Sequence, residues 1–286
     1  METKIRIAIQ TKGRLNEDSV QLLKEAGIKM VSGKRKLISA AKNFPMEVLF
    51  LRDDDIPQSV ADGLADIGIV GLNEVLEKKQ NVNIAKELGF SRCRVSLAIP
   101  KSDEYTGLNY FESKKIATSY PVILQDFLTE KKIDAEIHEI SGSVEIAPGI
   151  GLADAIFDIV SSGSTLVSNR LKEVEVVTPS EAVLVANPEL SEEKQAILDE
   201  LIFRIESVQR AEGKKYILLN APNDKVDEII ALLPGMKSPT VLPLAEQGWS
   251  SVHSVLNEND FWEIIGKLKA AGAQGILTIP IEKMIM

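Results

Sequence analysis

The sequence predicts an α/β fold followed by a separate C-terminal domain. Strand-like apolar runs alternate with helix-like segments through most of the chain, which is typical of α/β units around mostly parallel sheets. The segment GLAD occurs at 63–66 and again at 151–154, each time before an apolar run that leads to a glycine. After residue 213 the predicted order changes to βαββαβ, the ferredoxin-like arrangement. We therefore expect two similar α/β lobes and a ferredoxin-like domain.

Hydrophobic periodicity and turn residues predict the elements of the first lobe. They are a strand at 5–10, a helix at 16–26 ended by Gly27, a strand at 47–52, a short helix at 56–63, and a strand at 65–70 ended by Gly71. The same alternation continues from Val95 to Val167. Open α/β sheets bind ligands beyond the carboxyl ends of their strands, so both glycine turns are expected to face one cleft. The alternative is that the two GLAD segments are alike by chance.

A long amphipathic helix is predicted at 191–214. Ser191 is its N-cap candidate, Glu192 and Glu193 lie in its first turn, and Gly213 lies at its end. The predicted ferredoxin-like elements are a strand at 215–221, a helix at 224–233 ended by Pro234-Gly235, strands at 240–245 and 249–256, a helix at 260–271 ended by Gly272, and a strand at 275–281.

Composition and charge limit the classes of partner. The formal net charge of −9 disfavours nucleic acid, because duplex binding requires a basic surface. No apolar run reaches the roughly 18–20 residues of a membrane helix, and residues 1–14 lack the apolar segment and cleavage site of a signal peptide. The lone cysteine, Cys93, excludes an intramolecular disulfide and a cysteine-built zinc site. We therefore expect a cytoplasmic protein without a membrane or nucleic-acid partner.

The segment DIVSSGSTL, at 158–166, is the strongest local candidate for a binding site. Small residues after a buried strand allow several backbone N–H groups to point at one anion, and Gly163 permits close approach. Asp158 is placed to accept hydrogen bonds from ribose hydroxyls or to bind a metal ion. The residues that add hydroxyl groups are Ser161, Ser162, Ser164 and Thr165. The alternative is a serine-rich surface loop.

Charged residues after two other predicted strands are further candidates. Lys12 and Arg14 follow the first strand and are placed to bind a phosphate, or else they form an exposed basic turn. The run RDDDIP, at 52–57, contains adjacent carboxylates, and Asp55 is an N-cap candidate with Pro57 in the first helical turn. Because neighbouring side chains diverge, a metal site built from this run alone is not expected.

Other reactive residue types are predicted to be structural. His138 and His253 lie in strand-like segments. Cys93 lies between two arginines, which favour a thiolate, but no histidine is close in sequence, so a nucleophilic role is not favoured. The basic run at 33–36 is interpreted as a solvated turn, with part of an anion site as the alternative.

Taken together, the motifs resemble one family over nearly the whole chain. The stretches that carry the resemblance are TKGRL (11–15), RDDDIP (52–57), ADIGIVG (65–71), IATSYP (116–121), GSVEIAP (142–148), GLADAIFDIVSSGSTL (151–166), LLPGMKSPTVLPLA (232–245) and GKLKAAGAQGILTIPIEKM (266–284). They resemble the long form of ATP phosphoribosyltransferase, which performs the first step of histidine biosynthesis.

This resemblance implies a fold, a reaction and a regulator. The fold is a two-lobed core like type II periplasmic binding proteins, with lobe I at 1–91 and 180–212, lobe II at 92–179, and a C-terminal regulatory domain at 213–286. The reaction joins N1 of ATP to C1′ of phosphoribosyl pyrophosphate (PRPP), releases pyrophosphate and uses Mg²⁺. Histidine is the implied feedback inhibitor, and the implied assembly is a dimer that forms a hexamer with the effector.

The resemblance also implies roles for individual residues. The implied catalytic residues are Arg14, Arg52 and Asp158. The implied PRPP ligands are Glu145, Asp154, Asp158, Ser161, Ser162, Gly163, Ser164 and Thr165, with Asp154 and Asp158 as the candidates for Mg²⁺. The implied ATP ligands are Lys12, Arg14, Asp66 and Tyr120. The implied histidine ligands are Asn220, Ser238, Pro239 and Thr240.

Two other classes are compatible with a two-lobed fold. One is a non-catalytic cytoplasmic ligand-binding sensor. The loop at 158–166 together with Arg14 and Arg52 favours an enzyme, because a sensor of one solute needs one anion site rather than several. The other class is a dehydratase of aromatic biosynthesis with a regulatory domain, but the Thr-Arg pair expected near its cleft has no clear match.

Overall fold

The computed structural model describes residues 3–30, 37–233 and 238–285. The basic run at 33–36 and the predicted helix end at Pro234-Gly235 lie outside these residues. The chain divides into two compact units, one formed by Met1–Lys24 and Ile28–Asp199 and the other by Glu25–Gly27 and Glu200–Met286. Within the described ranges, no helix is both long enough and apolar enough to span a bilayer.

The described part of the larger unit begins with strands and helices in alternation. Its elements up to residue 87 are β1 (Ile5–Gln10), α1 (Arg14–Glu25), β2 (Ile38–Ala40), β3 (Met46–Leu51), α2 (Ile56–Ala61), β4 (Ile67–Gly71), α3 (Leu72–Lys78) and β5 (Asn83–Glu87). The following elements are β6 (Cys93–Pro100), β7 (Lys115–Thr118), α4 (Pro121–Lys131), β8 (Glu136–Glu139), β9 (Ala155–Val160), α5 (Ser164–Ser168), β10 (Leu171–Ser180), β11 (Ala182–Ala186) and α6 (Glu192–Ala211).

These strands form two sheets among the described residues. A six-stranded sheet has the order β2-β3-β1-β4-β11-β5, and a five-stranded sheet has the order β10-β6-β9-β7-β8. β3, β1 and β4 are parallel, as are β8, β7 and β9, but the other neighbouring strands are antiparallel. The prediction of mostly parallel sheets is therefore wrong, and both sheets are mixed. A parallel pair of strands needs a crossover connection. The chain passes directly from one sheet to the other between β5 and β6 and again between β10 and β11, and these four strands pair antiparallel with their neighbours.

Each sheet has its own stretch of chain and its own buried hydrophobic cluster. The six-stranded sheet draws its strands from 5–87 and 182–186, and the five-stranded sheet draws its strands from 93–180. We propose that these sheets correspond to lobes I and II, whose boundaries are expected at residues 92 and 180.

The two GLAD segments occupy equivalent positions in the two sheets. Asp66 Oδ2 accepts the backbone N–H of Arg6 at 2.7 Å, and Asp154 Oδ2 accepts the backbone N–H of Lys115 at 2.9 Å. The backbone N–H groups of the two aspartates donate back to the carbonyls of the same partners, at 2.9 and 2.8 Å. Each aspartate thereby joins the start of its strand to the start of the neighbouring parallel strand. The similarity of the segments is structural and not a chance repetition.

Asp66→Asn is expected to lower the free energy of unfolding by about 2 kcal/mol, because a buried carboxylate loses charge-assisted hydrogen bonds. Lys194 Nζ lies 2.7 Å from Asp66, whose side chain is 8% exposed. The matched control is Asp154→Asn, whose side chain is 45% exposed and whose loss is expected to cost less than about 1 kcal/mol. Urea unfolding followed by circular dichroism measures both changes. Equal losses in the two variants would contradict the role of burial.

The smaller unit contains the predicted C-terminal arrangement. Its elements after α6 are β12 (Lys214–Pro222), α7 (Val226–Leu232), β13 (Thr240–Pro243), β14 (Trp249–Asn257), α8 (Glu258–Ala270) and β15 (Gln274–Pro280). The sheet order is β13-β14-β12-β15 with antiparallel neighbours, which is the ferredoxin-like topology. Apolar side chains of β12, β14 and both following helices form its core, including Ile217, Leu219, Val252 and Leu268.

Candidate functional site

A cavity of about 220 Å³ lies where strands of both sheets of the larger unit end. The carboxyl ends of β1 and β4 supply one wall, and the carboxyl end of β9 supplies the other. The lining residues are Gln10, Arg14, Leu15, Asp53, Gly71, Asn73, Glu74, Ser91, Arg92, Cys93, Ile159, Ser161, Ser180 and Ala182. The cavity thus lies at the strand ends, where the directions of the predicted strands place a ligand.

The loop after β9 has the backbone geometry expected of an anion-binding segment. Gly163 has a φ of +79°, a region that disfavours side chains with a β-carbon, and it turns the chain from β9 into α5. The hydroxyl groups of Ser162 and Ser164 lie 3.0 Å apart, and Thr165 follows on the same exposed turn. The loop therefore exposes the residues that carry its hydroxyl groups, which are Ser161, Ser162, Ser164 and Thr165.

Arg94 anchors the first residue of this loop. Its Nη1 donates to the carbonyl oxygen of Ser161 at 3.1 Å, while the rest of the guanidinium bonds to both carboxylate oxygens of Glu173. Ser96 Oγ also donates to Glu173 at 2.7 Å. The position of the loop is therefore set by a charged network on β6 and β10.

The carboxyl group of Asp158, near the end of β9, is repelled by that of Glu145. The pKa of Asp158 is raised to about 6, mainly by burial and also by repulsion from Glu145, although the backbone N–H of Ile159 lowers it. Glu145 lies in the 3-10 turn Val144–Ile146. This arrangement favours a cation or a ribose hydroxyl donor as its partner, because either relieves the repulsion between the two carboxylates.

Asn73 and Glu74 also belong to the cavity, and sequence reasoning missed both. Glu74 Oε1 accepts hydrogen bonds from Asn73 Nδ2 at 3.0 Å and from the Tyr120 hydroxyl at 3.2 Å. Burial, with repulsion from Asp53, raises the pKa of Glu74 to about 6. A β-carbon on Gly71 would approach Asn73 Oδ1 to 2.4 Å, so a larger residue at this position would displace the Asn73 side chain. The available signal was the position of these residues directly after the predicted strand end.

The predicted cations lie at the same end of the six-stranded sheet. Arg14 lines the cavity and is 3.8 Å from Asp18, whereas Arg52 pairs with Asp54 at 3.2 Å and is 79% exposed. Lys12 is exposed in the turn between β1 and α1. Of these three cations, Arg14 lines the cavity, and Lys12 and Arg52 are exposed at the same end of the sheet.

The structure does not bring Asp66 and Asp154 to the cavity. Both lie at the amino ends of their strands, and β9, six residues long, separates Asp154 from the loop by about 20 Å. Their carboxylates are engaged in the strand-joining contacts described above, so we leave both out of the proposed site. Asp55 occupies the predicted N-cap position of α2, with Pro57 in the first turn, but its side chain makes no capping hydrogen bond, and its own backbone is helical, with φ −89° and ψ −17°.

The remaining reactive residues have structural environments. Burial raises the pKa of the Cys93 thiol, which disfavours a nucleophilic thiolate. His253 Nδ1 and Nε2 are 2.7 and 2.9 Å from the hydroxyl groups of Tyr216 and Ser251. His138 lies half-buried on β8.

Two of the four predicted effector residues, Asn220 and Thr240, lie on one face of the ferredoxin-like sheet. Asn220 and Ser251 are register partners, as are Thr240 and His253. Directly paired antiparallel residues project to the same face, so these polar side chains lie on the face opposite Ile217 and Leu219. Ser238 and Pro239 lie directly before β13, on the chain that leads to Thr240.

The two sheets, with a cavity at their strand ends that Arg14, Asp53 and Glu74 line, define a two-lobed α/β ligand-binding core, and the chain continues into a ferredoxin-like domain. A family model described as ATP phosphoribosyltransferase matches residues 52–207, and a model described as HisG, C-terminal domain matches residues 211–283. The chain belongs to the ATP phosphoribosyltransferase family. The predictions of family, transferase class and fold are confirmed, and the alternative of a non-catalytic sensor is not favoured.

Individual relatives agree with this assignment. Proteins named ATP phosphoribosyltransferase from Parabacteroides distasonis and Bacteroides thetaiotaomicron are 68% and 65% identical over 282 residues, covering 99% of this chain and 100% of theirs. The ATP phosphoribosyl transferase (HisG:HisZ) complex from Thermotoga maritima aligns with a TM-score of 0.61 at 29% identity, over 71% of this chain and 96% of that one. A periplasmic sulfonate-binding protein from Methylobacillus flagellatus, at 17% identity and a TM-score of 0.50 over 73% of this chain and 69% of its own, shares the fold alone.

Proposed function

We propose that this chain transfers the phosphoribosyl group of PRPP to N1 of ATP, the first step of histidine biosynthesis. The observation that carries the proposal is the cavity, which is lined both by Arg14, after β1, and by Ser161, after β9. Two polyanionic substrates need cations and hydrogen-bond donors that converge from two sides, and this cavity is lined by Arg14 on one side and by the start of the serine-rich loop on the other.

In the proposed reaction, N1 of ATP bonds to C1′ of PRPP while the bond from C1′ to the pyrophosphate oxygen breaks. N1 already carries a lone pair, so catalysis depends on in-line positioning and on stabilising the departing pyrophosphate. Residues 161–165 hold the 5′-phosphate, and Asp158 and Glu145 face the ribose. The cations that face pyrophosphate and the ATP phosphates are Lys12, Arg14 and Arg52.

The adenine ring is proposed to lie against Glu74 and Tyr120. A carboxylate at Glu74 accepts a hydrogen bond from the exocyclic amino group beside N1 and leaves N1 itself free to react. Burial and repulsion from Glu74 raise the pKa of Tyr120, so its hydroxyl remains a neutral donor. These two residues therefore orient the nucleophile.

Mg²⁺ is proposed to bind at Asp158 and Glu145 together with the substrate. The repulsion that Glu145 exerts on Asp158 is relieved by a divalent cation. Among the residues described, no three acidic, histidine or cysteine side chains form a ready metal site, so substrate oxygens and water complete the coordination. When bound, Mg²⁺ neutralises charge on the departing pyrophosphate.

The experiment that tests the proposal mixes the purified protein with ATP, PRPP and MgCl₂ and follows ultraviolet absorbance. Alkylation of adenine at N1 produces a new absorbing adduct, which mass spectrometry identifies. Omission of PRPP is the control. Absence of the adduct at every pH, salt concentration and metal concentration tested would contradict the proposed reaction.

Histidine is the proposed effector, bound at Asn220, Ser238, Pro239 and Thr240 of the ferredoxin-like domain. The polar face that contains Asn220 and Thr240 also exposes large aliphatic side chains, among them Leu242 and Leu277, which are 50% and 57% exposed. An apolar surface of this kind supports self-association, and we propose a dimer that forms a hexamer with histidine.

Asn220→Ala is expected to raise the inhibitory concentration of histidine about tenfold, because the variant loses one polar contact to the effector. The mass measured by light scattering is then expected to increase only at correspondingly higher histidine. The rate without histidine serves as the internal control, since Asn220 lies outside the proposed catalytic cavity. Wild-type inhibition in this variant would place the effector elsewhere.

A further inference from the structure

A buried carboxylate of α3 bonds to the first turn of α4. Glu77 is 7% exposed and accepts the backbone N–H groups of Val122 and Ile123, each at 3.0 Å. α3 follows β4 of the six-stranded sheet, whereas α4 follows β7 of the five-stranded sheet. The contact therefore joins the two proposed lobes.

This contact satisfies the donors that α4 cannot satisfy itself. The first N–H groups of an α-helix have no acceptor within the helix. In α4, Pro121 has no N–H, and the N–H of Leu124 already bonds to the carbonyl of Tyr120 at 3.1 Å. The N–H groups between them belong to Val122 and Ile123, and both donate their hydrogen bonds to Glu77. A negative charge at this end of the helix is favoured further by the helix dipole.

The face of α3 that carries Glu77 also carries Glu74, which bonds to Tyr120. Glu74 and Glu77 are three residues apart on α3 and therefore lie on one face. Glu74 accepts the Tyr120 hydroxyl at 3.2 Å, and Tyr120 immediately precedes α4. The segment Tyr120–Ile123 is thus held at two points, through its phenol and through the amides of the first helical turn.

We propose that Glu77 is a positioning residue for ATP binding. By holding the first turn of α4 against α3, it sets the position of Tyr120 relative to Glu74. It thereby sets the shape of the surface that is proposed to contact adenine. The inference rests on the proposed function, since that function places adenine at Tyr120. Glu77 itself does not line the cavity.

The test is Glu77→Gln in the full-length protein. A neutral amide offers one acceptor to two donors, so hydrogen exchange at Val122 and Ile123 is expected to accelerate about tenfold or more. The ATP dissociation constant measured by calorimetry is expected to rise about tenfold, while kcat at saturating substrates changes less than about threefold. Glu77→Asp, which keeps the charge, is expected to recover part of the ATP affinity.

The matched control is Asp126→Asn, which removes an exposed ion pair between α4 and Lys79, the residue directly after α3. Asp126 lies 2.7 Å from Lys79, and the two side chains are 61% and 56% exposed. Such a pair contributes little, so ATP affinity is expected to stay within about twofold. An unchanged ATP dissociation constant in Glu77→Gln would overturn the positioning role, as would wild-type amide exchange. An inactive wild type that still binds ATP would instead defeat only the proposed reaction.

Discussion

Gly163→Val is expected to raise the KM for PRPP about ten- to hundredfold while leaving the fold intact. The φ of Gly163 is +79°, and a β-branched residue in that region costs about 1–3 kcal/mol unless the backbone moves. A β-carbon there would meet only Val160 Cγ1, at 4.0 Å, so the side chain has space. The effect therefore acts through rotation of the loop N–H groups away from the phosphate.

Steady-state kinetics at varied PRPP measures the change. Gly107→Val is the control for strain alone, because Gly107 also has a positive φ, of +128°, with open space for a β-carbon, and does not line the cavity. This control is expected to lose stability without a change in KM. A wild-type KM for PRPP in Gly163→Val would show that this loop does not bind PRPP.

The second large effect is a fall in kcat/KM as the pH drops through about 6. Burial and nearby carboxylates raise the pKa values of both Glu74 and Asp158 to about 6. Both groups are therefore ionised well above pH 6 and protonated below it. If each acts as a carboxylate, each reduces the rate about tenfold at pH 5, because one pH unit below a pKa leaves about a tenth of the group ionised.

Glu74→Gln separates this effect from titration of the substrates. Both proteins encounter the same phosphate titrations, so the difference between their profiles reports on Glu74 alone. The variant is expected to have a lower maximum and an acid limb that is less steep than that of the wild type. Parallel profiles from pH 5 to 8.5 would show that Glu74 does not titrate in catalysis.

Local patterns predicted much of the architecture. The strand at 5–10 is present with the predicted bounds, and the predicted strand at 249–256 is Trp249–Asn257. Alternating apolar residues and glycine turns are short-range signals, and they can be read without knowing which strands pair with one another. The relative direction of the strands was predicted less well. The antiparallel pairing of β10 with β6 and of β11 with β4 depends on where the chain passes between the sheets.

The candidate site was predicted in part. Arg14 and Ser161 do line one cavity, and Tyr120 contacts two of its residues. Asp66 and Asp154 do not reach it, because a strand places its first and last residues at opposite ends of the sheet. The roles proposed for Ser161, Arg14 and Tyr120 remain predictions.

The sequence by itself determined the family, the βαββαβ order of the C-terminal domain and the glycine-containing loop at 158–166, since each depends on residues close together in the chain. Only the tertiary structure decided which carboxylates meet which partners. Glu74 reaches Tyr120, and Glu77 reaches Val122, across 46 and 45 positions of sequence. Such contacts depend on how two separately folded sheets pack together, and no local pattern encodes that geometry.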